Sequence, residues 1–190
     1  MMQELSQQIE ETARAVVDEI HTALPGTIVS FDSENGTATV KPNGKYRMAN
    51  AKSLDYPKIT DVPVIFPFSH TAGAGIAFPV GTGDGCLLIV SEVELDEWRT
   101  GAESEGSLRF DLTSAVCVPG LLKRGGKLIS KACQCNAVIV SAGDVRVMVS
   151  DTGVSIMSGN TKMTISDAGV SISGNLKVDG NISSTGMITP

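Results

Sequence analysis

Apolar and small polar residues alternate through the last quarter of the chain, from Val147 to Ile188, and the pattern repeats at a spacing of 16 residues. Val149-Ser150-Asp151-Thr152-Gly153-Val154-Ser155-Ile156 aligns with Ile165-Ser166-Asp167-Ala168-Gly169-Val170-Ser171-Ile172. Alternation with period two is the signature of a half-buried strand, and Asp-x-Gly supplies the turn between strands. Ser158-Gly159-Asn160 and Ser173-Gly174-Asn175 mark a second turn in each unit, and Gly180-Asn181 a further one after a shorter interval. Each unit carries only a thin row of Val, Ile and Met and cannot bury it alone. Two copies and a ragged third are too few for a one-chain solenoid, so further copies of the same chain are the economical cover. The expectation is a homotrimer with Val149, Val154, Ile156, Ile165, Val170 and Ile172 in its core. Its intertwined strands would form a triple-stranded β-helix, a stiff rod without exposed edges.

At the other end the period changes. Leu5, Ile9, Val16 and Ile20, with Ala13, Val17 and Ala23 filling the stripe, follow helical spacing over residues 1–24, and Pro25-Gly26 ends the run. Two readings stay open: an amphipathic helix packed on its own domain, or one that docks on a partner ring or on its trimer mates.

Between these ends lie short strands with turn chemistry. Residues 27–31 and 37–41 flank Asn35-Gly36 as a tight hairpin. Further strands are expected at 62–66, at Cys86 to Val90 after Gly81-Thr82-Gly83-Asp84-Gly85, and at Val116-Cys117-Val118. Five short strands suit a closed barrel of the oligonucleotide/oligosaccharide-binding (OB) type. The expected fold class is thus all-β. A helix at 1–24 precedes an OB-type barrel at 25–120, a linker at 121–135 and the trimeric β-helical needle at 136–190.

With 190 residues, 42% of them hydrophobic and 19% charged, the chain can form one globular domain with an appendage and is not of disordered composition. A formal charge of -6, with no cluster of Lys and Arg beyond Lys123-Arg124-Gly125-Gly126-Lys127, argues against nucleic acid as a partner. A base-binding barrel would also stack bases on aromatics, which are 4% of this chain. No signal-peptide pattern and no run of about 18 apolar residues occurs, so synthesis in a cytoplasm is expected. Cys86 and Cys117 sit in apolar runs as small hydrophobes; Cys133-Gln134-Cys135 would point both thiols to one face of a strand, but has no partner ligands for a metal.

Candidate chemistry is thin. Glu92, Glu94, Asp96 and Glu97 before Trp98 are the spacing of a solvated loop rather than a glycosidase pair. Ser69-His70 has no nucleophile elbow and no orienting acid. Gly73-Ala74-Gly75 and Gly81-Thr82-Gly83 lack phosphate-cradling spacing. No enzyme activity, cofactor or metal is expected.

Several stretches together resemble the central-spike proteins of contractile phage tails, the baseplate assembly protein V-like family. They are His21-Thr22-Ala23-Leu24-Pro25-Gly26-Thr27-Ile28-Val29, Val62-Pro63-Val64, Gly83-Asp84-Gly85-Cys86-Leu87-Leu88-Ile89-Val90, Glu94-Leu95-Asp96-Glu97-Trp98, Arg109-Phe110-Asp111-Leu112-Thr113-Ser114-Ala115 and Val118-Pro119-Gly120-Leu121. The resemblance covers residues 15–125. It implies a barrel that mounts a trimeric spike on a tail hub protein and a β-helical needle pushed against the target cell envelope on sheath contraction. Within the particle, a phage, a prophage and a phage-tail-like bacteriocin are equally compatible origins. Several such spikes end in an iron-binding His-x-His apex, but the histidines here are His21 and His70 only. The resemblance therefore implies a simple apolar tip or a PAAR-type tip protein as cap. A receptor-binding tail fibre is the alternative reading, and an OB-type nucleic-acid module a more remote one.

Overall fold

The computed structural model describes residues 2–18, 20–47, 53–101 and 109–186. The chain divides into two compact units, Met1–Lys123 and Arg124–Pro190.

The first unit opens with helix α1 (Met2–Asp18). Strands β1 (Ala23–Asp32) and β2 (Thr37–Pro42) follow as an antiparallel pair. Their connection is a four-residue turn rather than a tight Asn-Gly one, because the Asp32 carboxylate gathers it. That carboxylate accepts the backbone N–H of Glu34 at 2.9 Å and of Asn35 at 3.3 Å, and Asn35 Nδ2 at 2.7 Å. Gly36 closes the turn at φ 65°, a conformation that favours glycine. A small hairpin of β3 (Lys45–Arg47) and β4 (Ser53–Asp55) comes next, then β5 (Ile59–Pro63). β5 starts earlier than the expected strand at 62–66 and ends at Pro63, where the ladder loses its donor. A hairpin of β6 (Phe68–Ser69) and β7 (Ala74–Gly75) leads into β8 (Gly85–Val90), helix α2 (Leu95–Thr100), a short 3-10 turn (Leu112–Ser114) and β9 (Ala115–Pro119).

Five of these strands form one curled sheet in the order β5-β2-β1-β8-β9. A bulge in β1 between Ile28 and Ser30 sharpens the curl. The residue after β5 then meets the far edge: Val64 bridges Cys117 in parallel, and Ile65 N–H donates to the Cys117 carbonyl at 2.9 Å. This is the connectivity of an OB-type barrel. Its core is Ile28, Ala38, Val40, Ile59, Val62, Cys86, Leu88, Val90, Ala115 and Cys117, the inward members of alternating strands.

In the second unit the expected linker carries a helix, α3 (Lys127–Cys135). It ends in a Schellman arrangement: Asn136 is left-handed at φ 45°, its N–H donates to the Cys133 carbonyl, and Ala137 N–H donates to Ala132 at 3.0 Å. Cys133 and Cys135 are therefore helical and point apart, Cys133 exposed and Cys135 half-buried, not to one face as a strand would place them. The helix leads into a five-stranded antiparallel meander, β10 (Val138–Ala142), β11 (Val145–Ser150), β12 (Gly153–Ser158), β13 (Thr161–Ser166) and β14 (Gly169–Ser173). Each strand pairs with its sequence neighbours within the chain. Two-residue turns of favourable chemistry make local pairing the shortest connection. The predicted tip, residues 187–190, lies outside the described residues.

Candidate interaction surfaces

The register of the meander sorts its side chains onto two very different faces. Val138, Val149, Val154, Ile165 and Val170 lie opposite one another in turn and make one row across all five strands. Val140, Val147, Ile156, Met163 and Ile172 make a second row beside it. Successive side chains alternate between faces, so both rows belong to the same side of the sheet. All six residues expected in the buried row fall on this side. Each row runs about 19 Å across four strand spacings.

Within the chain the two rows are poorly covered. Val138 is 71% exposed and Val170 61%, and Val140, Val149, Ile156, Ile165 and Ile172 are exposed as well. The opposite face carries Ser141, Arg146, Ser155, Lys162, Thr164, Ser171 and Ser173, with Ile139, Met148 and Met157 among them. One face is thus apolar along its two rows, with Ser158 and Thr161 at one margin, and the other is mostly hydroxylated. The 16-residue repeat is the spacing of this lattice: Val154 and Val170 stand on strands two apart, as do Val149 and Ile165. The lattice begins one unit earlier than the aligned segments, at Val138-Ile139-Val140. There Ile139 turns to the other face, where Lys127, Leu128 and Lys131 of α3 line a cavity with Ile139, Ser141 and Arg146. With apolar residues wanted on both faces the local alternation vanishes, and no period-two signal marks the strand.

A second uncovered stripe lies on α1. Leu5, Ile9 and Val16 share one side of the helix, and all are exposed, Ile9 by 62%. Ile20 lies beyond the helix and is exposed too; its N–H donates to the Val17 carbonyl at 3.1 Å. The stripe does not pack into the barrel core, so the reading of a helix buried on its own domain is not what the structure contains.

The residues weighed for chemistry are dispersed. Glu92 is paired with Arg109, and the Asp96 carbonyl accepts the Thr100 hydroxyl at 2.7 Å inside α2. Trp98 is 82% exposed; the Glu97 side chain lies outside what is described. Ser69 and His70 sit on the exposed β6–β7 hairpin, with Ser69 Oγ accepting Ala72 N–H at 3.4 Å. Asp111 caps the 3-10 turn, accepting Thr113 N–H at 2.8 Å and the Thr113 hydroxyl; these bonds hold its carboxyl below the usual aspartate value, with His21 adding a smaller attraction. In the core Cys86 and Cys117 form a thiol–thiol hydrogen bond, which with burial raises Cys117 well above the ordinary thiol range. Among the described residues no group of three or more His, Cys, Asp or Glu is placed to hold a metal ion. No described helix is long and apolar enough to cross a membrane.

The comparisons agree on where the barrel lies. Residues 24–120 match the family model described as the phage protein Gp138 N-terminal domain. That span runs from the second residue of β1 to just past β9 and takes in all of the curled sheet but Ala23. No curated protein matches the chain.

Proposed function

This chain belongs to the Gp138 N-terminal-domain family of phage proteins, and on that premise we propose that it is the structural baseplate spike of a contractile tail or tail-like particle. The observation that carries the reading is the pair of apolar rows on an uncovered sheet face. A flat patch of ten Val, Ile and Met side chains in water is not a stable end state for a soluble part. Fully burying each such side chain is worth about 1.5–3 kcal/mol, less here by whatever each already buries.

Three copies of the meander with their apolar faces inward form a triangular prism with hydroxyl-rich walls. Strands then run around the prism and hydrogen bonds along it, a geometry that resists compression along the axis. The α1 stripe, Leu5, Ile9, Val16 and Ile20, docks on the tail hub protein. On sheath contraction the prism is driven into the target cell envelope. A PAAR-type protein caps its far end, and no cofactor, metal or enzymatic step takes part. The protein resides in the virion or particle baseplate.

Light scattering on the purified full chain tests the reading. A mass near three times 19.8 kDa that persists on warming in detergent is expected. A clean monomer would remove the spike, and a dimer would replace the prism with a two-sheet sandwich.

A further inference from the structure

Positive charge gathers where α3 meets the wall. Lys127 and Lys131 stand one turn apart on α3, and Ser141 and Arg146 lie opposite one another on β10 and β11. With Leu128 and Ile139 they line a cavity of about 280 Å³. The lining holds three cations and no carboxylate. Asp144, the acid nearest in sequence, forms no ion pair with them, and no other carboxylate among the described residues does so.

The chain by itself leaves this charge unbalanced in three ways. Like charges one helical turn apart repel. Lys127 opens α3 at the positive end of the helix dipole, where an acid is favoured and the first turn has none. Arg146 Nε is buried and has no hydrogen-bond acceptor, although a buried donor on a charged group is costly to leave unpaired. One bound oxyanion between the helix and the two strands relieves all three.

We infer that this cavity binds a phosphate monoester of a small alcohol. A carboxylate would leave two of the three charges unbalanced. A phosphate monoester carries about −1.5 to −2 at neutral pH and has three terminal oxygens to share among the guanidinium, the two ammonium groups and the Ser141 hydroxyl. Leu128 and Ile139 add an apolar wall, which suits the carbon chain of an ester and offers inorganic phosphate nothing. The same chemistry occurs in glycerol 3-phosphate and in the headgroup of phosphatidic acid. Ser141 and Arg146 alternate with Val140 and Val147, so the site lies on the face opposite the two apolar rows. It is built from one chain and stays open when the rows are covered, so its fate is separate from that of the proposed trimer.

Calorimetric titration of the full-length chain with glycerol 3-phosphate at low ionic strength is expected to give saturable binding at one site per chain. Arg146→Lys keeps the charge but removes the buried Nε donor, and is expected to weaken binding at least about tenfold. Lys127 and Lys131 are exposed, so replacing both by Gln should weaken binding as much without lowering the melting temperature of the unliganded chain. Lys162 stands in the same cross-strand row as Arg146 but outside the cavity, and Lys162→Gln should leave binding unchanged. Sedimentation with phosphatidylcholine vesicles carrying phosphatidic acid separates the two sources. Cosedimentation that the double lysine variant loses assigns the site to a lipid headgroup; binding of glycerol 3-phosphate without cosedimentation assigns it to a soluble ester. Inorganic phosphate binding as tightly as the ester would overturn the ester. Absence of saturable binding, or a loss with Lys162→Gln equal to that with Arg146→Lys, would overturn the site itself.

Discussion

Val154 and Ile165 stand directly opposite one another on β12 and β13, and Val149 and Val170 extend the same line to the strands on either side. This line and the one beside it are hydrophobic stripes on a sheet whose three inner strands, β11 to β13, are paired on both sides within the chain. Folding of the wall is therefore separable from assembly of the proposed trimer.

Replacing Val154 and Ile165 together by Asp puts two charges in the middle of the apolar face that the proposed prism encloses. The expected result is loss of the trimer with the barrel unit still folded. It is read as a fall in scattering mass to that of one chain, with the barrel's own melting transition retained. Retention of a stable trimer would show that these rows are not its interface. The conservative exchange Ile165→Val should cost about 0.5–1.5 kcal/mol and leave the mass unchanged.

The stripe on α1 makes the opposite prediction. Leu5, Ile9 and Val16 contribute nothing to the barrel core, so Ile9→Asp is expected to shift the barrel's stability by no more than about 0.5 kcal/mol. Trimer mass should also persist. Incorporation into particles should fall, and normal incorporation would exclude α1 as the hub contact.

The barrel was legible because its strands are short apolar runs bounded by Gly, Pro and Asn turns, although Cys86-Leu87-Leu88-Ile89-Val90 is apolar throughout and the structure alone marks Cys86, Leu88 and Val90 as its inward face. That the six row residues share a face was legible from the period-two alternation of the repeat. What escaped was set by longer-range geometry. Lys127–Cys135 sits where a linker was expected, directly after Gly125-Gly126, and its nine residues make only about two and a half turns, too short a run for a helical period to stand out. Val138-Ile139-Val140 hides its phase because α3 makes both faces apolar there. A repeat shows which residues share a face, but not whether the neighbouring strand comes from the same chain.

The cap at Asp111 yields a pH dependence of known sign. Its carboxyl is held below the usual aspartate value chiefly by the hydroxyl and backbone N–H of Thr113. A group whose native pKa is depressed contributes its full stabilisation above the unfolded value. That contribution is lost as pH falls through the lowered native value. Asp111→Asn should therefore lower the barrel's melting temperature at neutral pH, because a neutral amide oxygen accepts the Thr113 bonds less strongly than a carboxylate does. The gap between variant and parent should narrow below about pH 4, the ordinary aspartate range. A gap that stays constant from neutral to acid pH would mean the cap acts through shape and not through charge.

Two glycines of the barrel should respond unequally to the same small change. A methyl at Gly26 would lie 2.7 Å from Val40 Cγ1 and 3.1 Å from Cys86 Sγ. Both are side-chain atoms of the core and can yield a little, so Gly26→Ala should cost about 1–3 kcal/mol. At Gly85 the new methyl would collide with the backbone carbonyl oxygen of Leu121. That segment is pinned, because Gly120 N–H and Leu121 N–H both donate to the Gly85 carbonyl, at 3.0 and 3.1 Å. Relief at Gly85 thus requires breaking the bonds that tie the end of β9 to the start of β8. Denaturant unfolding should place Gly85→Ala as the more damaging of the two. Equal losses would mean that the chain after β9 moves freely, and the close approach at Gly85 would then have no part in holding the barrel's edge.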